Sequence, residues 1–167
     1  VAHSTTPNLQ LGLLRRLLGD QIRTVSRKNL VTGRKFSEML NEALTRYTNR
    51  SLTTAEIIAE LVNLAKEMRA ERERAQQLGL SEAEIALYDA IIQNDSAILE
   101  MGDETLKTIA RELVTTIRSS ATLDWTVKES VRARMRSRIK RLLAKYKYPP
   151  DKREQAVQLA IEQAEHL

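Results

Sequence analysis

The chain has 167 residues, only 4% aromatic residues, no Cys and a formal net charge of +5. This length suits one domain, or one domain with an extension, and the scarcity of aromatic residues, Gly and Pro favours an all-α fold. The absence of Cys excludes disulfides, thiol nucleophiles and thiolate metal sites, and it suits a cytoplasmic protein. No apolar run approaches the roughly 20 residues that a membrane helix needs. The opening residues, VAHSTTPNLQ, contain neither an initiating Met nor a secretory signal, so we expect a piece of a longer protein.

Charge is distributed unevenly along the chain. Residues 1–50 carry +6, residues 51–127 carry −7, residues 128–153 carry +9 and residues 154–167 carry −3. Two basic segments therefore flank an acidic middle. This asymmetry suggests a polyanion or an acidic protein as partner more strongly than the small total does.

The first predicted helix carries aliphatic residues at three- and four-residue steps, which is the period of one helix face. They are Leu9, Leu13, Leu14, Leu17, Leu18, Ile22 and Val25. Pro7 suits the first turn of this helix, and residues 29–33 (NLVTG) are expected to interrupt it. The apolar period resumes at Phe36 and continues to Tyr47, which predicts a second helix.

Capping boxes mark the starts of three later helices, because a Ser or Thr and a Glu three residues on can each bond a free backbone N–H. The pairs are Thr53 with Glu56, Ser81 with Glu84, and Thr126 with Glu129. Polar breaks at 48–52 and 93–96 separate helices, and Asp103 is the expected cap of another. The residues PPD at 149–151 end one helix and begin the last. The sequence therefore predicts an all-α bundle of about seven helices with no sheet.

The helix after Thr126, called the basic helix below, has one apolar stripe. At 100° per residue, Val131, Ile139, Leu142 and Tyr146 fall within about 40° of Met135, so this face is expected to enter the core. The rest of its surface is almost wholly cationic. The candidate residues for binding DNA or an acidic partner are Arg132, Arg134, Arg136, Arg138, Lys140, Arg141, Lys145 and Lys147.

Two interpretations of these eight cations stay open. In the first, they are solvated, or they pair inside the fold with carboxylates of the acidic segment 51–127. In the second, they contact DNA phosphates or an acidic protein surface, because clustered positive charge raises association rates and polyanion affinity. Phosphate contacts of this kind would not depend on the DNA sequence.

No sequence motif for catalysis is found. The chain contains neither GxxxxGK[ST] nor GxGxxG, so it has no recognisable loop for nucleotide phosphates. Its histidines, His3 and His166, lie near opposite ends, which argues against a catalytic triad or a His-carboxylate metal site. Trp125 is expected to fill a helix junction rather than to stack on a base. We therefore expect no catalytic, metal-ligating or cofactor-binding residue in this chain.

Four segments together resemble the C-terminal region of the restriction, or motor, subunit of type I restriction-modification enzymes. They are SRKNLVTGRKFSEMLNEALTRYTNRSLTTAEIIAELVNLAKEMR (26–69), LGLSEAEIALYDAI (78–91), GDETLKTIARELVTTIR (102–118) and DWTVKESVRARMRSRIKRLLAKYKYPPDK (124–152). The likeness covers nearly the whole chain, and the last of these blocks is the most specific.

The resemblance implies a non-catalytic C-terminal part of a large subunit, whose parent is an ATP-dependent DNA translocase and site-specific deoxyribonuclease. In that family the nuclease and ATPase domains lie upstream, so ATP and Mg²⁺ are implied for the parent alone. The helical C-terminal part is expected to dock the motor onto the methyltransferase core of modification and specificity subunits. DNA is a further expected partner in the full complex, and no membrane is expected.

The resemblance and the polar break at 48–52 suggest two parts. Residues 1–50 are expected to form a helical connection toward the motor domains, and residues 51–167 a compact C-terminal module. Two functions besides docking stay open. One is a non-specific clamp on the backbone of the translocating duplex. The other is an enzyme in its own right, for which no convergent set of acid, base, nucleophile or metal ligands is found.

Overall fold

The computed structural model describes residues 7–93, 95–120 and 128–166, and for residues 95, 96 and 128 it describes the backbone alone. Within these ranges the chain forms eight α-helices, one 3₁₀ turn at Pro150–Lys152 and no strand. The α-helices are α1 (Pro7–Lys28), α2 (Leu30–Thr48), α3 (Thr54–Gln77), α4 (Glu82–Ile91), α5 (Asp95–Met101), α6 (Asp103–Ser119), α7 (Lys128–Lys145) and α8 (Arg153–Ala164). The all-α prediction is confirmed, with a helix count close to the predicted seven.

The chain divides into two compact units. The first contains α1 as far as Arg27, together with Thr32–Gly79, and the second contains Lys28–Val31 and the chain from Leu80 onward. The polar break at 48–52 lies inside the first unit, as a short turn between α2 and α3. The functional division at residue 50 stays a prediction.

The first unit has its own apolar core, to which α1, α2 and α3 each contribute one face. The buried residues are Leu18, Ile22, Phe36, Leu40, Ala43, Ile57, Leu61, Leu64 and Met68. In α3 the four buried positions follow the three- and four-residue steps of a single helix face, as expected for a helix packed along one side. Each such aliphatic or aromatic side chain contributes roughly 1.5–3 kcal/mol on burial.

Helix α2 begins earlier than predicted. The break expected over 29–33 is confined to Asn29, and Gly33 lies buried inside α2. A Cβ at Gly33 would lie 2.2 Å from Oγ and 2.7 Å from Cα of Ser26, so α1 and α2 touch at this point without room for a side chain. The Gly was therefore a close-packing residue of a helix, and its interpretation as a helix breaker was wrong.

Two of the predicted capping boxes are confirmed. The backbone N–H of Glu56 donates to the Thr53 hydroxyl at 3.2 Å, and Glu56 in turn accepts from the Thr53 backbone N–H at 3.3 Å. Ser81 and Glu84 form the same reciprocal pair at the start of α4. The third box lies outside the described residues, because Thr126 belongs to 121–127, as does Trp125.

The predicted cap at Asp103 is wrong by one residue. Gly102 occupies the N-cap position with a φ of +78°, a left-handed conformation that Gly adopts without strain, and Asp103 is the first residue of α6. The Asp103 carboxylate instead accepts a hydrogen bond from the Tyr88 hydroxyl and pairs with Lys107 at 3.2 Å. The hydrogen bond and the charge of Asp103, with further charge from Glu104, raise the pKa of Lys107.

The second unit is built around α4 and α6, with α8 packed on α4 and on α7, and α7 packed also on α6. Its core is aliphatic, and α6 alone buries six residues on one face. These are Leu106, Ile109, Ala110, Leu113, Val114 and Ile117.

The segment between α1 and α2 is fastened to the second unit by buried polar groups. Gln163 of α8, which is buried, donates from Nε2 to the Lys28 carbonyl at 2.9 Å and accepts from the Leu30 backbone N–H at 2.9 Å. Asn29 donates to the buried Asp89 carboxylate at 2.7 Å. One glutamine side chain thus satisfies the last carbonyl of α1 and the first N–H of α2, groups that lack intrahelical partners.

Candidate functional site

The basic helix α7 enters the core through one face, which differs slightly from the predicted stripe. Its buried residues are Val131, Met135, Ile139 and Leu143. Leu142 and Tyr146, predicted at the centre of the stripe, are only half-buried. Positions four residues apart drift by about 40° around a helix, so the buried face turns toward the Leu143 side, where α8 packs.

The two tyrosines after α7 differ in burial, and the prediction that Tyr146 enters the core was wrong. Helix α7 ends at Lys145, and Lys147 takes a φ of +57°, which turns the chain back toward the core. Tyr148, left undecided from the sequence, is fully buried and its hydroxyl donates to the Ile91 carbonyl at 2.6 Å. Tyr146, expected in the core, is half-buried and donates to Glu112, and this hydrogen bond raises the pKa of the Tyr146 hydroxyl.

One side of α7 is neutralised by the helix that packs against it. The ion pairs on this side join Arg132 to Glu165 at 2.6 Å, Arg136 to Glu154 at 2.5 Å and Lys140 to Glu154 at 3.1 Å. Hydrogen bonding and charge from Lys140, followed by charge from Arg136, lower the pKa of Glu154. Both carboxylates lie at or near α8, in the segment 154–167, and not in the acidic segment 51–127 that one interpretation named.

The other side of α7 carries four candidate cations at four-, three- and four-residue steps. This outer cation row consists of Arg134, Arg138, Arg141 and Lys145, which fall within about 60° around the helix and span about 16 Å along it. Each of these four side chains is exposed. Lys147, beyond the end of the helix, is also exposed and forms no ion pair with any described residue.

The outer cation row has few partners within the fold. Arg138 donates to the Ser120 hydroxyl, and Lys145 lies 3.8 Å from the Glu112 carboxylate, the one acid in reach among the described residues. Arg134 and Arg141 form neither an ion pair nor a side-chain hydrogen bond within the described ranges. Their guanidinium groups are therefore available to an external anion.

Helix α6 presents a row of small polar residues beside Glu112. Thr108, Glu112, Thr115 and Ser119 follow one another at four-, three- and four-residue steps, so they share one face of α6. Glu112 contacts α7 through Lys145 and Tyr146, which places this face next to that helix. Sequence reasoning missed these hydroxyls, although their spacing repeats that of the outer cation row and could have revealed them.

Metal-ligating side chains are not clustered within the described residues. No group of three His, Cys, Asp or Glu side chains within this part of the chain could hold a metal ion. His166 is exposed in the last described turn, and His3 lies outside the described residues. None of the helices in the described ranges is both long enough and apolar enough to span a bilayer.

The whole chain matches one family model. Residues 1–167 fit the family described as "Type I restriction enzyme HindI endonuclease subunit-like, C-terminal". No solved structure matches the chain.

Two curated relatives agree with that match. The chain is 43% identical, over all 167 residues, to the type I restriction enzyme HindI endonuclease subunit of Haemophilus influenzae, of which it covers 16%. It is 38% identical over 136 residues, 80% of its length, to a Methanocaldococcus jannaschii protein provisionally named type I restriction enzyme MjaIXP endonuclease subunit, of which the match covers 13%. The chain thus spans less than a fifth of the length of these relatives. By full-length match and by identity, the chain belongs to the family of C-terminal regions of HindI-like type I restriction enzyme endonuclease subunits.

Proposed function

We propose that this chain is the non-catalytic assembly module of a type I restriction endonuclease subunit, and that it docks the motor onto the methyltransferase core of modification and specificity subunits. Family membership supports the assignment to a multi-subunit restriction enzyme. The nuclease and translocase activities, with ATP and Mg²⁺, belong in this proposal to the rest of the parent subunit. The described residues of this chain offer no ligand set for Mg²⁺ and no phosphate loop, so no catalytic step is assigned to them.

The observation that carries the docking proposal is the mismatch of charge on α7. Eight candidate cations lie on and just after this helix, and the ion pairs among the described residues give them three carboxylates, from Glu112, Glu154 and Glu165. The surplus is concentrated in the outer cation row, where like charges repel one another unless an external anion lies against them. An acidic surface on the core is the partner that would relieve this repulsion.

A binding experiment with the purified core tests the proposal. The chain is expected to bind a complex of the modification and specificity subunits, and replacing both Arg134 and Arg141 by Ala should weaken binding about tenfold. Each exposed contact of this kind contributes roughly 0.5–1 kcal/mol, and 1.4 kcal/mol corresponds to tenfold. The control replaces Arg111 and Arg118, exposed arginines elsewhere around α6, by Ala. Failure of the folded chain to bind the core would refute the proposal.

A second candidate function is a clamp on the backbone of the translocating duplex. The specific observation in its favour is the outer cation row, which places four exposed cations along about 16 Å of α7. Arg, Lys, Ser and Thr side chains are the usual donors to phosphate oxygens, and such contacts position a duplex without reading its sequence.

Duplex binding at several salt concentrations tests this second function. Counterion release predicts that the logarithm of the affinity falls linearly with the logarithm of salt concentration, with a slope close to the number of neutralised phosphates. Replacing Arg134 and Arg141 by Ala should reduce that slope by about 2 and weaken binding to all sequences alike. An unchanged slope in this variant would exclude the clamp, whereas the Arg111 and Arg118 control should leave it unchanged under either function.

A further inference from the structure

Helix α1 exposes apolar residues that the sequence period assigned to a single helix face. Leu9, Leu13 and Leu17 are 60%, 54% and 57% exposed, although their spacing fits the same period as the buried Leu18 and Ile22. The seven aliphatic residues of α1 therefore do not form one buried face, and that expectation was wrong. The three exposed positions follow one another at four-residue steps and form a leucine row along one side of the helix.

Helix α1 also contains two glycines in its interior, which adjoin the side of Leu9 and face away from Leu17. Gly12 and Gly19 stand seven residues apart, and a Cβ added to either would meet nothing within 4 Å. Neither has a positive φ, so neither the packing nor the backbone of the unit requires Gly there. Gly inside a helix is nonetheless the least favourable residue after Pro. The two glycines disfavour the helix without any internal reason, which points to an external object that must approach the backbone closely.

Arginines alternate with these glycines on the same face. Gly12, Arg15, Arg16, Gly19 and Arg23 line one groove of about 430 Å³, closed on the α2 side by Ser37 and Leu40. Arg23 pairs with Asp20 on its own helix. Arg15 and Arg16 form no ion pair with any described residue, so the groove keeps unmatched positive charge beside open backbone.

We propose that this face of α1 is a docking surface for a helix of the methyltransferase core that carries an aliphatic strip and a flank of Asp or Glu. The aliphatic strip would cover Leu9 and Leu13, the backbone of the partner helix would approach at Gly12 and Gly19, and its carboxylates would pair with Arg15 and Arg16. Small residues at heptad spacing permit close helix packing, and a carboxylate can form a bidentate ion pair with an Arg guanidinium group.

The same features argue against two other occupants. Bare duplex DNA would leave the leucine row in water, because phosphate oxygens offer it no apolar contact. A second copy of α1 would bring like charges together, since residues 1–50 hold nine basic side chains and three acidic ones. The face from Leu9 to Arg23 is about 21 Å long, which corresponds to some four turns of a partner helix.

This inference rests on the proposed function, because its partner belongs to the methyltransferase core. The experiment measures the affinity of the chain for the purified complex of modification and specificity subunits by titration calorimetry. One variant replaces Gly12 and Gly19 by Leu, which fills the approach without crowding the fold. A second replaces Arg15 and Arg16 by Glu. The control reverses Arg69 and Arg72, exposed arginines of α3 in the same unit, to Glu.

Both α1 variants are expected to bind the core at least about tenfold more weakly than the unmodified chain, because one adds steric overlap and the other adds like-charge repulsion. The control should bind within about twofold. The Gly-to-Leu variant should also unfold at a urea concentration no lower than the unmodified chain, since Leu favours helix over Gly and meets open space. Weaker binding with undiminished stability is an outcome that a merely structural face cannot give.

Three results would overturn the inference, and each differs from failure of the proposed function. If the chain binds the core and both α1 variants bind equally well, docking stands and the α1 face has no part in it. If the α1 variants instead abolish self-association or weaken duplex binding, a second copy or DNA is the occupant. If the unmodified folded chain does not bind the core at all, the proposed function fails and this partner fails with it.

Discussion

Replacing Gln163 by Leu tests how the segment between α1 and α2 is held. The two side chains have similar volume, so the change mainly removes the bonds to the Lys28 carbonyl and the Leu30 N–H. Leaving a buried polar group unpaired costs about 1–3 kcal/mol, and these two backbone groups are only partly buried. We therefore expect a loss of about 2–4 kcal/mol in the free energy of unfolding, a large part of the 5–15 kcal/mol typical of a domain.

Two measurements check this prediction. Urea unfolding followed by circular dichroism gives the loss of stability, and hydrogen exchange gives its location, because the Leu30 amide should exchange faster while the α3 amides do not. The control is Gln158→Leu in the same helix. Gln158 is half-buried and accepts a hydrogen bond from Arg136, and in this variant Arg136 keeps its ion pair with Glu154. Protection of the Leu30 amide equal to that of the unmodified chain would show that Gln163 does not hold this segment.

Three other substitutions or conditions probe single contacts. Gly33→Ala should destabilise the chain by about 1–3 kcal/mol in urea unfolding, because the new Cβ would lie 2.7 Å from Cα of Ser26; unchanged stability would contradict the close contact. Tyr148→Phe should cost about 1–3 kcal/mol by leaving the Ile91 carbonyl unpaired, and a loss near zero would place that carbonyl in water. Glu154 has a folded pKa below its unfolded value, so its ion pairs stabilise above the unfolded pKa and are lost as pH falls through the folded one. NMR titration of this carboxyl should give a pKa that rises toward the ordinary value in Lys140→Ala.

Elements set by neighbouring residues could be predicted from the sequence. The Thr53 and Ser81 capping boxes involve residues only three apart, and the structure forms both of them. The apolar period of α6 is also a local feature, because its six buried residues follow the three- and four-residue steps of one helix face. Local rules of this kind require no knowledge of which helix packs against which.

Features that depend on tertiary packing could not be predicted from the sequence alone. The start of α2 at Leu30 depends on Gln163, which lies more than 130 positions along the chain. Burial of Tyr148 in place of Tyr146 depends on the left-handed turn at Lys147 and on a carbonyl of α4. A helical wheel treats every apolar position alike, whereas packing against α8 determines which side of α7 is buried.

The candidate site shows the same difference between local features, which the sequence predicts, and features that depend on tertiary packing. Composition identified α7 as basic, but it could not decide between internal pairing and external binding; the structure shows internal ion pairs for some of the cations, and external binding stays a prediction. Arg132, Arg136 and Lys140 face carboxylates of the last segment, whereas Arg134 and Arg141 have no such partner among the described residues. From the acidic segment 51–127, named as the internal partner, the described residues supply Glu112 alone to an ion pair with this helix.

The two proposed surfaces share one physical feature, a local free-energy cost that nothing within the described structure offsets. On α7 the cost is repulsion among clustered cations, and on α1 it is the pair of interior glycines together with leucines left in water. A sequence under selection for stability alone would readily replace Gly12 and Gly19 by Ala, because the space is open and the helix would gain about 1 kcal/mol at each position. Violations of local rules tend to persist where a partner supplies the missing interaction. The glycines of α1 therefore argue for a bound partner even more directly than the charge of α7 does, because solvent and salt can relieve repulsion between cations but cannot restore the helix stability that glycine removes.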